Sequence, residues 1–125
     1  MMMKLMNELK PIADKEYNRA VSQYGFPHSA HEGYAVVLEE FEEAGFELVA
    51  LDDTLKQIWA NTKGNGHSVH ELETVERDAL CLAAEAIQIY ATARKFRVFE
   101  EVVWGDYERT ESADYGNDSA REIKR

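Results

Sequence analysis

The sequence predicts an all-α protein, an antiparallel helical bundle of three main helices, and three observations predict it. Apolar residues recur at three- and four-residue spacing over long stretches. No strand-like alternation competes with that period. Two glycine-containing punctuations, Gly25-Phe26-Pro27 and Gly64-Asn65-Gly66, cut the chain into three long segments.

The first segment predicts a helix over about 5–24, where Leu9, Ile12, Ala13, Tyr17, Ala20, Val21 and Tyr24 fall at helical spacing. Pro11 sits in its first turn or kinks a helix that begins earlier. The second predicts a helix over about 29–62, with Tyr34, Val37, Leu38, Phe41, Ala44, Leu48, Leu51, Leu55 and Trp59 as its stripe. The third covers about 68–97 through Leu72, Val75, Ala79, Leu80, Ala83, Ala86, Ile87, Tyr90 and Ala93. The last two begin alike, at His28-Ser29-Ala30-His31-Glu32 and His67-Ser68-Val69-His70-Glu71. Each reads as a capping box, with Ser as N-cap and Glu three residues on. Val98-Phe99 and Val102-Val103-Trp104 either extend the third helix or form a short fourth piece. The domain is expected over 1–104, followed by an acidic, weakly ordered tail over 105–125. The broad apolar stripes predict completion of the bundle by a homodimer or homotetramer.

A chain of 125 residues fits one domain. It carries 24 Asp and Glu against 14 Lys and Arg, a formal charge of −10. That balance argues against a nucleic-acid polymer or an anionic membrane as partner and permits bound cations. The single cysteine, Cys81, forms no internal disulfide, so a reducing, cytoplasmic location is expected. No apolar run approaches the length of a membrane span.

The charge is unevenly placed. No Lys or Arg lies between Arg19 and Lys56, a stretch that holds Glu32, Glu39, Glu40, Glu42, Glu43, Glu47, Asp52 and Asp53. At about 100° per residue, Glu32, Glu39, Glu43 and Glu47 share one helix face, opposite Phe41, Leu48 and Trp59. Glu40 lies at the margin of the apolar stripe. A solvated face is the plain reading. Against it, Glu39/Glu43 and Glu43/Glu47 are like-charge i,i+4 pairs, each costing roughly 0.2–0.5 kcal/mol. A hard divalent cation such as Mg²⁺ would remove that repulsion. On the third helix Asp78 and Glu85 share a stripe. Asp78 reads as the better ligand, and Glu85 as either a further ligand, a supporting residue, or a solvated one beside Cys81, Gln88, Thr92 and Lys95. A four-histidine site is disfavoured, because consecutive antiparallel helices put their N-termini at opposite ends, about 45 Å apart for some 30 residues.

The segment Leu38-Glu39-Glu40-Phe41-Glu42-Glu43 resembles the E-E-x-x-E motif of the MazG-like, all-α nucleoside triphosphate pyrophosphohydrolases. Its surroundings, Gly25-Phe26-Pro27-His28-Ser29-Ala30-His31-Glu32-Gly33-Tyr34-Ala35 leading to Leu38-Glu39-Glu40, resemble a phage and bacterial subgroup of that family. The likeness covers about residues 12–95. It implies a helical bundle completed by oligomer formation, and Mg²⁺-dependent cleavage (with Mn²⁺ as a substitute) of a nucleoside triphosphate to monophosphate and pyrophosphate. Glu39, Glu40 and Glu43 would occupy the first metal motif. The family's second motif, E-x-x-D, is altered here. One frame gives Asp78-Ala79-Leu80-Cys81 and the other Val75-Glu76-Arg77-Asp78, so only Asp78 is common to both.

On this reading Glu40, Glu43 and Asp78 hold metal, and Glu39 is a ligand or the base that positions the attacking water. Arg77, Arg94, Lys95 and Lys56 are the available phosphate-binding cations, and Tyr34, Trp59 and Tyr90 the aromatic candidates for a base pocket. The altered second motif supports the alternative, a non-catalytic helical module that binds a nucleotide or another protein.

Overall fold

The computed structural model describes the backbone of residues 1–115 and the side chains of residues 1–105. Three helices follow one another: α1 (Met2–Tyr24), α2 (Ala30–Lys63) and α3 (Val69–Tyr115). No strand occurs among the described residues. The helix starts agree with the sequence signals to within a few residues. At the end of the third helix the two continuations left open by periodicity resolve as one: α3 runs without a break through Val98-Phe99 and Val102-Val103-Trp104 to Tyr115. Of the tail expected to be weakly ordered, 116–125 lies outside the described residues. Pro11 is accommodated inside α1, with the helix already running from Met2.

The α1–α2 corner is built by local chemistry. Gly25 takes φ 71°, a left-handed conformation that costs glycine little, and its N–H closes α1 on the Val21 carbonyl. Ser29 then caps α2 by accepting the Glu32 N–H at 3.1 Å. The Glu32 carboxylate does not complete the reciprocal box; it meets His28 Nδ1 at 3.3 Å. At the opposite end Asn61 ties the second turn by donating to the His67 carbonyl and to Ser68 Oγ.

α3 packs against both α1 and α2, whereas α1 and α2 do not pack on each other. α2 turns Gly33, Val37, Glu40, Ala44, Glu47 and Leu51 toward α3, at the spacing of one helical face. Gly33 permits close approach of α3, because a Cβ there would lie 2.5–2.9 Å from the Phe96 ring. α1 is held by a polar cluster. Asp14 accepts from Tyr90 Oη, from Arg94 Nη1 at 2.8 Å and from Lys10 Nζ at 2.7 Å. The Arg94 guanidinium lies 4.1 Å over the Tyr17 ring. The buried apolar core is small, made of Ala13, Tyr17, Ala20, Ala44 and Ala91, and most large apolar side chains of α2 remain exposed.

Candidate metal centre

Where the C-terminal half of α1, the α1–α2 corner and the facing flanks of α2 and α3 meet, they enclose a cleft of about 550 Å³. Its size is that of a small-ligand site. One wall is acidic: Glu39, Glu40 and Glu43 from α2, with Glu85 from α3. Tyr24, Phe26 and Pro27 line the cleft at the α1–α2 corner, with Glu32 at the start of α2. Arg19, Gln88, Thr92 and Lys95 also line it.

Glu40, Glu43 and Glu85 each turn a carboxylate oxygen toward the others, all within 4.8 Å. Helix periodicity explains the α2 pair, since residues three apart lie on adjacent turns of one face. Antiparallel packing of α3 supplies the third. Burial, and then the Glu43 charge, push the Glu85 carboxyl above the usual carboxylate range. Glu40 is raised in the same way, by burial first and then by Glu43, Glu85 and Glu39. Glu85 Oε2 is buried with no hydrogen-bond partner. Three carboxylates at this separation repel, and no Lys or Arg pairs with them among the ion pairs of the described residues.

The other predicted site residues divide. Glu39 lines the cleft beside the trio. Asp78, expected to be the α3 ligand, stands outside the group; it is buried two turns before Glu85, 3.6 Å from the Arg77 guanidinium. Glu85, read as a further ligand, a supporting residue or a solvated one, is the α3 member of the carboxylate group. Of the candidate cations, Lys95 lines the cleft with its Nζ 5.8 Å over the Tyr24 ring. Arg94 is engaged with Asp14 and Tyr17, Arg77 with Asp78, and Lys56 with Asp52 at 2.8 Å. Tyr34 and Trp59 are exposed away from the cleft, and Tyr90 is bonded to Asp14.

Sequence reasoning missed Tyr24, Phe26 and Arg19 as cleft residues. The signal was the corner itself, since a left-handed Gly25 turns the chain so that residues just before and after it converge. Arg19 is fixed by Glu16, whose oxygens it meets at 2.8 and 2.5 Å, and by Gln23 at 2.6 Å. Gln88 also donates to Glu16, at 2.7 Å. Arg19 and Gln88 together pull the Glu16 carboxyl down to about 2, with Arg19 the larger influence.

Fold and site together define an all-α helical protein with a carboxylate-walled cleft at a helical corner. Scans of protein-family models, curated proteins and solved structures find no match to the chain.

Proposed function

We propose that the chain is a MazG-like nucleotide pyrophosphohydrolase that uses Mg²⁺, or Mn²⁺, to cleave a nucleoside triphosphate to its monophosphate and pyrophosphate. It would act in the cytoplasm, as a homodimer or homotetramer. The observation that carries this reading is the convergence of Glu40, Glu43 and Glu85 on the wall of a cleft of about 550 Å³. Three hard oxygen donors, one with a buried and unpartnered oxygen, suit a small divalent cation better than they suit one another.

Glu40, Glu43 and Glu85 would hold the ion, which when bound neutralises phosphate charge and makes a water more acidic. Glu39, at the edge of the trio, is the residue that accepts a proton from the attacking water and orients it. Lys95, which also lines the cleft, offers a cation to the polyphosphate. Tyr24 and Phe26, which line the cleft at the α1–α2 corner, take the planar base by stacking. The lining thus combines carboxylates with aromatic side chains, as a nucleotide complexed with a cation combines phosphates with a planar base.

A second reading is supported by Asp78. The one residue common to both frames of the altered second motif lies outside the carboxylate group, as expected of a helical module that binds nucleotide, or a protein, without cleaving it. Incubation with NTPs and dNTPs in Mg²⁺ or Mn²⁺ separates the two. The pyrophosphohydrolase reading expects equimolar pyrophosphate and monophosphate, falling at least about 100-fold in Glu40→Ala and Glu43→Ala, on the scale of lost metal-centre residues. Release that survives both substitutions overturns the site. Metal-dependent nucleotide binding without release selects the binding module.

A further inference from the structure

Arg19 lines the cleft, yet its charge is already matched. Its Nε and Nη2 donate to the two Glu16 oxygens at 2.8 and 2.5 Å, and Nη1 donates to Gln23 at 2.6 Å. Gln88 donates to Glu16 from α3 at 2.7 Å, so the pair is pinned by two helices. Arg19 and then Gln88 hold the Glu16 carboxyl down at about 2, which keeps it ionised and leaves the pair with no net charge at neutral pH. A guanidinium carries five N–H donors. The bonds to Glu16 and Gln23 use three of them, leaving one on each of Nη1 and Nη2. With its side chain 52% exposed, Arg19 is open to a ligand.

Lys95 differs. It lines the same cleft but has no carboxylate partner among the ion pairs of the described residues. Its charge is open to phosphate. The Arg19–Glu16 pair attracts a polyanion weakly, because its two charges act in opposite senses. What Arg19 offers instead is direction, a fork of fixed N–H groups.

Tyr24 is a neighbour of that fork: the Glu16 carboxylate raises the Arg19 pKa, and the Tyr24 phenol adds a smaller push of the same sign. Tyr24 and Phe26, 69% and 39% exposed, have ring surface open for stacking. Stacking on a ring accepts any base. A choice among bases needs contacts to a base edge. Paired donors fit the paired acceptors O6 and N7 of guanine. Adenine keeps N7 but sets an amino donor beside it, and the pyrimidines have no such acceptor pair.

We infer that Arg19 determines base specificity in the cleft, its two remaining N–H groups taking O6 and N7 of a guanine-type base, and that Glu16 is the residue that positions them. This rests on the nucleotide reading of the cleft and adds the class of base. Lys95 then serves the phosphates, Tyr24 and Phe26 the ring face, and Arg19 the ring edge.

Calorimetric binding of the α,β-methylene analogues of GTP, ITP and ATP in Mg²⁺ tests this without requiring cleavage, with helix content checked by circular dichroism. The wild-type chain is expected to bind the guanine and hypoxanthine analogues at least about fivefold more tightly than the adenine one, the low end for a paired edge contact. Arg19→Lys keeps the charge and loses the fork, so it is expected to bring all three within about twofold, with the adenine analogue little changed. Glu16→Gln is expected to narrow the ratio as well. Glu40→Ala is expected to weaken all three alike and keep their ratio. Equal binding of the three by the wild-type chain, or an equal loss of all three in Arg19→Lys, overturns the base assignment and leaves the nucleotide reading standing. A ratio unchanged in Glu16→Gln overturns the positioning role. Binding of none of the three overturns the nucleotide reading and the base assignment together.

Discussion

Glu40 on α2 and Glu85 on α3 bring carboxylate oxygens within 4.8 Å of each other across the helix interface, with Glu43 as the third member. Groups of like charge are brought this close only where the packing of two helices outweighs their repulsion. Ala44 and Gly33 supply that packing on α2, on the same face as Glu40.

Divalent metal should therefore stabilise the chain. At one hundred times Kd, binding to the folded state alone adds about 2.7 kcal/mol. A thermal melt with and without Mg²⁺ or Mn²⁺ is expected to show an upward shift of several degrees. Glu40→Gln, Glu43→Gln and Glu85→Gln should each remove most of it, while Asp78→Asn should keep the increment.

The metal-free chain should respond to pH in two opposite ways. Glu40 and Glu85 are raised when folded, so the folded state holds extra protons there. Stability from this source is greatest at acid pH and declines as pH rises from the ordinary carboxylate range through their raised values. Glu16, held down to about 2, contributes stability that is present above 4.5 and lost as pH falls toward 2. Chemical denaturation across acid pH should give a maximum between these windows. Glu85→Gln should flatten the upper limb and stabilise the metal-free chain by roughly 0.5 kcal/mol, the scale of one relieved like-charge contact.

Gly33 and Phe96 fix the α2–α3 distance beside the cleft. A methyl at position 33 would meet the Phe96 ring at 2.5–2.9 Å, so Gly33→Ala should cost about 1–3 kcal/mol through overpacking. The double variant with Phe96→Leu should recover much of that loss in urea unfolding, because the two changes share one contact.

The α1 anchor is separable from the acid wall. Tyr90→Phe removes the hydroxyl that donates to Asp14 and should cost about 0.5–1.5 kcal/mol. Hydrogen exchange should rise along α1 more than along α2, since α1 rests on α3 alone.

The helices were legible because capping and period are local. Ser29, Gly25 and the three- and four-residue spacing determine the starts of all three helices and the stops of the first two within a few residues, but not the end of α3, which runs on to Tyr115. The acid wall was half legible. Periodicity puts Glu43 on the acidic face, whereas Glu40, at the margin of the apolar stripe, is singled out only by the resemblance to the E-E-x-x-E motif. Choosing between Asp78 and Glu85 depends on the register of α3 against α2, which is set by nonlocal contacts such as Gly33 with Phe96. Periodicity puts Glu85 with Cys81, Gln88, Thr92 and Lys95 on one face; Cys81 is exposed outside the cleft, whereas the other four line it. The stripe on α2 was likewise found by its period. Only packing divides it into Val37, Ala44 and Leu51 turned toward α3 and the outward-facing Phe41, Leu48 and Trp59.

The most direct test compares Glu85→Gln with Asp78→Asn in Mg²⁺-dependent pyrophosphate release from nucleoside triphosphates, each variant checked for wild-type helix content. A carboxylate centre of Glu40, Glu43 and Glu85 predicts loss of at least about 100-fold in Glu85→Gln and near wild-type release in Asp78→Asn. Full release by Glu85→Gln, with loss in Asp78→Asn, would contradict it.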